Sequence, residues 1–358
     1  MIANIQALRA IAALLVVFYH LQAPLERYIG AGMHTSFGAS GVDLFFVISG
    51  FIMFYTNRDY ARSSAQFLKD RVIRIVPLYW MGTFLILAIL ATGRSPDGVR
   101  AVDLGDLLTS LFFIPDVRAD GYESPVLTLG WTLIYEMFFY GVFASFFFLR
   151  NSVRILLALS TSFLLLIGLG LALTPSSFSL RYFTNPIMLE FLMGGLIAIR
   201  YAQLPPQGKP AGQGVWWAGI VLGALAIVAT EWLTMRFLEK GSLLRPVLFG
   251  LPAALIVWSA LMLERSGAAW RSGWIQLFGA ASYALYLFHP VIIQTCTIAF
   301  GHVLRKTLPS LSTAHGVLTW GLAGVSATIS ICVALAVAIL IYRHVETPVT
   351  RWLKRVSA

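Results

Sequence analysis

Asn4-Ile-Gln-Ala-Leu-Arg9-Ala-Ile-Ala-Ala-Leu-Leu-Val-Val-Phe-Tyr-His20 is the stretch from which the fold is read. It is an apolar helix with an arginine near its start and a histidine deep within it. Arg9 and His20 are eleven residues apart. At ~100° per residue that is about three turns plus ~20°, so the two side chains share one helix face. The rise between them is about 16 Å, roughly half of a ~30 Å hydrocarbon core. With Arg9 at the membrane surface, His20 falls near the midplane, and an ionisable side chain at that depth points to function. The competing reading is an arginine that snorkels to the interface and a histidine that ties two helices together.

The rest of the chain has the same apolar character. Of 358 residues, 58% are hydrophobic and only 12% charged, with a mean hydropathy of +0.79, whereas soluble proteins carry about 25% charged residues. The fold class is therefore all-α: a polytopic membrane helical bundle, one transmembrane domain over 1–358. About ten apolar segments are long enough to span, near 7–25, 38–56, 76–93, 128–149, 155–173, 184–200, 215–232, 246–263, 275–300 and 318–342. The ninth is long and carries Pro290, where it is expected to tilt or break. The N-terminus looks superficially like a signal peptide. No small-x-small cleavage site follows it and a second span comes soon after, so it reads as a retained helix. Cys296 and Cys332 lie in apolar runs and read as small core residues, with no disulfide framework or metal site implied.

The net charge of +10 reads first as basic residues in inner loops and excludes a nucleic-acid partner as the leading interpretation. With the N-terminus inside and Arg9 set aside, the inner connections carry Arg58, Arg62, Lys69, Arg71, Arg74, Arg150, Arg154, Arg200, Lys209, Arg265, Arg271, Arg343, Arg351, Lys354 and Arg355, against Arg27, Arg94, Arg100, Arg118, Arg181, Arg236, Lys240, Arg245, Arg305 and Lys306 outside. Both termini are then cytoplasmic. The inner loop 57–75 holds Arg71 and Arg74 just ahead of the third span. The outer loop 94–127 is acidic, with Asp103, Asp106, Asp116, Asp120 and Glu123. Its run Leu107–Ile114 is too short to span and is expected to lie in the interface or dip inward.

Three acids fall inside spans: Asp43, Glu136 and Glu190. At ~1.5 Å per residue they lie about 8, 12 and 9 Å from the outer ends of their helices. With His20 and His289 they form one layer drawn from five helices. A lone buried charge is costly, so such groups pair or line a wet cavity; each taken alone is equally well an interhelical hydrogen bond. Thr128, Thr132, Glu136 and Tyr140 share one helix face, and Ser282, Tyr286 and His289 share another. Arg71 and Arg74, three apart, suit a phosphate or pyrophosphate, or equally a lipid phosphate. Ser49, in Phe46-Val-Ile-Ser49-Gly50-Phe51, lacks the flanking glycine of a nucleophile elbow, and Ser49-Gly50 reads as close helix packing.

Six motifs in order carry a family resemblance: Arg9-x10-His20; Gly41-Val-Asp43-Leu-Phe-Phe-Val-Ile-Ser49-Gly-Phe; Arg71-Val-Ile-Arg74-Ile-Val-Pro-Leu-Tyr79; Leu129-Gly-Trp131-Thr-Leu-Ile-Tyr-Glu136-Met-Phe-Phe-Tyr140; Leu189-Glu190-Phe-Leu-Met-Gly194; and Ser282-Tyr283-Ala-Leu-Tyr286-Leu-Phe-His289-Pro290. Together they resemble the acyltransferase 3 family of integral membrane acyltransferases, in its bacterial exopolysaccharide O-acetyltransferase branch. The resemblance implies transfer of an acyl group, usually acetyl, from cytoplasmic acyl-CoA to a hydroxyl of an extracytoplasmic polysaccharide or lipid-linked glycan. It places the chain in the bacterial cytoplasmic (inner) membrane, with the lipid bilayer and polysaccharide biosynthesis proteins as partners. The family's functional arginine and histidine fall on Arg9 and His20, and its paired arginines on Arg71 and Arg74. Some relatives carry a C-terminal extracytoplasmic hydrolase-like domain; the chain runs only shortly past Glu346-Thr-Pro348, so none is expected here.

On this reading Arg9, Arg71 and Arg74 bind the acyl-CoA phosphates. His20 is general base or acyl carrier, and Asp43 or Glu136 orients its ring. Trp131, Thr132, Tyr140, Glu190, Ser282, Tyr283, Tyr286 and His289 line the cavity or hold the acceptor. A thioester is already activated, so acyl-CoA enters as a co-substrate and neither a permanent cofactor nor a metal is demanded. The alternative is a glycan or lipid transporter or flippase whose buried charges mark a substrate pathway; the absence of a sequence repeat and of paired broken helices weighs against it.

Overall fold

The computed structural model describes residues 2–357 apart from 33–34, 96–98, 100, 206–211, 235–242 and 308–316. Among the described residues the regular structure is helical, without strands. The helices are α1 (Ala3–Ile29), α2 (Ser40–Thr56), α3 (Ser64–Ala91), α4 (Leu104–Leu111), α5 (Gly130–Ser145), α6 (Ser152–Leu173), α7 (Phe178–Phe183), α8 (Leu189–Gln203), α9 (Gln213–Thr234), α10 (Leu251–Arg265), α11 (Gly273–Ala280), α12 (Ser282–Thr307), α13 (Val317–Ile341) and α14 (Thr347–Val356). Among the described residues, nine helical segments are long and apolar enough to cross a membrane. The chain is a multi-pass membrane protein. The remaining expected span, 128–149, is the 16-residue α5, about 24 Å long at 1.5 Å per residue, followed by a 3₁₀ turn at Phe147–Leu149.

Three helix boundaries differ from the sequence reading, each for a local reason. Residues 64–75 are helix, not loop. Ser63 and Gln66 form a capping box, the serine oxygen accepting from the Gln66 amide at 3.1 Å, and this starts α3 well before position 76. Arg71 and Arg74 are thereby fixed on a helix. The long ninth segment breaks before Pro290, at Ala281, between α11 and α12. Pro290 itself lies within the continuous α12. The break lets α11 lie against α1 so closely that a Cβ at Gly279 would run into the Gln6 carbonyl. The sixth segment starts with α7 and a 3₁₀ turn at Pro186–Met188, which leaves Glu190 in the first turn of α8.

Packing follows from small residues inside and leucine outside. A Cβ at Gly50 of α2 would strike the Phe191 carbonyl of α8, and one at Gly194 would strike the Val47 carbonyl. Small residues thus allow two backbones to touch, as expected between membrane helices. Phe139 stacks on Phe191 with ring centroids 4.5 Å apart. On α6 only Ile155, Leu159, Phe163 and Ile167 are buried, one stripe at i, i+4 spacing, while Leu157, Leu164, Leu165 and Leu171 are exposed. That outward apolar face suits lipid.

Polar contacts pin the ends. Glu264, at the end of α10, accepts the Ala3 and Asn4 amides at 3.1 and 2.7 Å and so serves the orphan donors at the start of α1. Asn4 donates to Ala260 O and Ala268 O. Lys354 of α14 lies 3.4 Å from Asp70 of α3. The short run near 107–114 forms α4, which has its own capping box from Asp103 and Asp106. It is fastened to α3 through Tyr79 OH donating to Ser110 O and Trp80 Nε1 donating to Leu111 O.

Candidate active site

Parts of α1, α2, α3, α5 and α12 line one open cavity. Arg9 enters it from α1, and Arg71 and Arg74 from α3. Arg9 is only 7% exposed. Its Nη1 donates to Gln6 Oε1 at 3.1 Å, and Arg74, Glu136 and Glu346 are among its charged neighbours. Arg71 lies over the Phe67 ring at 5.8 Å, and its Nε has no hydrogen-bond partner among the described residues. Three guanidiniums on one cavity create a site for an anion.

The wall from α2 and α5 carries a hydroxyl–carboxylate cluster. Glu136 accepts from Ser49 Oγ at 2.9 Å and from Tyr140 OH, and the two hydroxyls lie 3.3 Å apart. Farther along, Thr132 Oγ1 and Tyr286 OH are 2.8 Å apart. Ser282 and Tyr283 also line the cavity; Tyr283 OH donates to Ile75 O at 2.7 Å. The expected stripe on the fourth segment is shorter than read. Thr128 precedes α5, because the chain turns there with Gly130 N bonded to Leu127 O, and only Thr132, Glu136 and Tyr140 face the cavity.

His20 does not line this cavity. Tyr286 forms part of the cavity wall, its ring centroid lies 6.3 Å from that of His289, and His289 lies 5.1 Å from His20. Neither imidazole lines the cavity; His289 is next to Tyr286 and His20 is next to His289. His289 is fully buried and His20 half-buried. The acids proposed to orient His20 are engaged elsewhere. Glu136 holds Ser49 and Tyr140, and both oxygens of Asp43 are taken by Arg245, at 3.1 Å from Nε and 2.9 Å from Nη2. A carboxylate in the first turn of α2 meets a guanidinium fork in the geometry it favours most. Glu190 is buried beside that pair, away from the cavity. Trp131 also lies off the cavity; it packs on Tyr135 and its carbonyl accepts from Tyr182 OH.

Residues 2–343 match the acyltransferase domain family. The chain belongs to that family. It is 35% identical over 264 residues to the exopolysaccharide production protein ExoZ of Rhizobium meliloti, covering 74% of this chain and 79% of that protein. It is 25% identical to the peptidoglycan O-acetyltransferase OatA of Listeria monocytogenes, over 97% of this chain and 56% of OatA. It is 27% identical to the acyltransferase MdmB of Streptomyces mycarofaciens, over 98% of this chain and 92% of MdmB. No solved structure matches the chain.

Sequence reasoning passed over three residues that matter to the geometry of this acyltransferase. Ser49 was read as packing, yet its hydroxyl sits on the cavity against Glu136; its place seven residues before Thr56 on the same helix as Asp43 gave no hint of the Glu136 contact. Arg245 falls among the outer-loop charges on the sequence reading. An arginine directly before a proline-led apolar run, in a chain with lone in-span acids, was the available signal. Glu346 was read only as a landmark near the chain end, but it lies among the charges around Arg9 and Arg74.

Proposed function

We infer that this chain is an O-acyltransferase that moves an acyl group, acetyl foremost, from acyl-CoA on the cytoplasmic side of a bacterial inner membrane to a hydroxyl of an extracytoplasmic polysaccharide or lipid-linked glycan. The observation that carries this reading is the convergence of Arg9, Arg71 and Arg74 on one cavity. Coenzyme A brings several phosphate oxygens, and guanidinium forks match them in charge and shape. The names of the relatives supply the acceptor class: exopolysaccharide production and peptidoglycan O-acetylation. The polarity rests on the excess of basic residues in the connections read as inner.

A donor held by the arginines directs its thioester toward Tyr286 and the imidazoles. His20 Nδ1 lies 2.9 Å from Val16 O. A carbonyl can only accept, so Nδ1 carries the proton and Nε2 the lone pair in the neutral ring. Nε2 takes the proton of the acceptor hydroxyl as its oxygen bonds to the thioester carbonyl carbon. The C–S bond breaks, its electron pair stays on sulfur, and the proton is returned to give free CoA thiol.

Purified protein in lipid nanodiscs, supplied with acetyl-CoA and a polysaccharide acceptor, tests the reading. Acceptor-dependent thiol release and an acetyl ester on the glycan, seen by mass spectrometry, are expected. A transporter or flippase releases no thiol.

A further inference from the structure

We propose that His20 does not act alone: His289 and His20 form a two-imidazole unit that takes up the acceptor's proton together. The inference rests on the acyl-transfer reading above and adds a second catalytic-layer residue to it.

The geometry has three parts. First, the rings face each other across two helices, α1 and α12, with centroids 5.1 Å apart and planes at 69°. Second, each ring is fixed by its own helix in the same way. His20 Nδ1 meets the carbonyl four residues back, Val16 O, at 2.9 Å, and His289 Nδ1 meets Leu285 O at 3.0 Å. Carbonyl oxygens accept, so both neutral rings carry hydrogen on Nδ1 and a lone pair on Nε2. Third, His289 is fully buried, and its Nε2 has no hydrogen-bond partner among the described residues. A buried acceptor left unpartnered is costly and asks for an explanation.

Two such rings hold one proton well and two badly. With both neutral, the unit has two basic nitrogens. After one proton enters, the cation stands beside a neutral ring that still offers a lone pair. A second proton would put two cations about one ring-width apart, and like charges at that separation repel strongly. The groups facing His289 are His20 from α1 and Tyr286, three residues back on its own helix. Tyr286 also lies on the cavity wall, which puts the pair next to the arriving thioester. Asp43 and Glu136 are bound to Arg245, and to Ser49 and Tyr140. In the step itself the acceptor O–H breaks, the proton enters the pair, the O–C bond forms, the C–S bond breaks, and the stored proton passes to the departing CoA sulfur.

The test is a double-mutant cycle on kcat for radiolabelled acetyl transfer, with His289→Gln, His20→Gln and the double variant. Acetyl-CoA binding by calorimetry and the unfolding temperature serve as fold controls. His289→Gln keeps polarity and size but cannot bind a proton, so kcat should fall at least about tenfold while KM for acetyl-CoA stays within about twofold. The double variant should be no slower than His20→Gln, because removing either ring dismantles the same unit. Effects that multiply, or a His289→Gln enzyme with wild-type kcat, overturn the proposal and leave His20 acting singly. If His289→Gln fails to fold, His289→Asn in the same cycle decides by the same additivity criterion. A wild-type protein that releases no thiol is a different result: it removes the acyl-transfer reading itself.

Discussion

Asp43 and Arg245, 202 residues apart in sequence, hold each other through two parallel hydrogen bonds of 3.1 and 2.9 Å. Asp43 is completely buried, while the Arg245 side chain keeps 21% of its surface. The pair joins α2 to the residues that lead into α10, and so fixes one side of the helix that presents Ser49 to the cavity. Removing one partner strands the other. Asp43→Asn should therefore destabilise the protein by about 3–5 kcal/mol, read as a lowered unfolding temperature in detergent. Calorimetric acetyl-CoA affinity should stay near wild type at temperatures where the variant is folded. An Asp43→Asn protein of unchanged stability but abolished turnover would place Asp43 in the chemistry instead.

Arg71 and Arg74 reach the cavity from a helix whose start is fixed by the Ser63–Gln66 capping box. A hydrogen bond to a charged group is worth about 1.5–3 kcal/mol, so alanine at either position should weaken acetyl-CoA binding by roughly one to two orders of magnitude. Salt should weaken wild-type binding and affect the double variant less, since screened charge pairs are what it lacks. Equal affinity and equal salt response in the double variant would assign both arginines to lipid headgroups.

The sequence made the all-α membrane class readable because a hydrocarbon core demands long apolar segments, and those stand out at this length. It also made the arginines readable as a set, since Arg9 and the Arg71–Arg74 pair are rare charges beside apolar runs. What it hid was partner choice. In-span acids announce that they need partners, but periodicity along one helix does not say which neighbour supplies them. Asp43 found Arg245, and Glu136 found Ser49 and Tyr140. Lateral burial hid as well: one helix's sequence does not say that the packing of α1 against α2, α11 and α12 covers Arg9.

Glu136 accepts from two hydroxyls on the cavity wall. Glu136→Gln preserves shape and leaves an oxygen to accept, but removes the negative charge that balances the three arginines. The protein should fold, bind acetyl-CoA at least as tightly, because one anion near the donor phosphates is gone, and turn over about tenfold or more slowly. Tyr140→Phe, which removes one donor to the same carboxylate and leaves its charge, should have the smaller effect. Turnover of Glu136→Gln at the wild-type rate would reduce the cluster to interhelical hydrogen bonding.

Arg9 and His20 project from one helix, but only Arg9 lines the cavity, and His20 lies against His289. Their substitutions should therefore fail in different ways. Arg9 holds donor charge before, during and after the bond changes, so Arg9→Ala should chiefly raise the KM for acetyl-CoA and leave kcat within a few-fold. His20 acts where the proton moves, so His20→Ala should chiefly lower kcat, by at least ~10². Donor affinity measured by calorimetry should fall in the first variant and persist in the second. His20→Gln should not restore turnover, because an amide hydrogen-bonds but does not take up a proton. Equal loss of donor binding in both variants would put the two side chains on one local site and break the arrangement in which Arg9 holds the donor phosphates and His20 meets the thioester end.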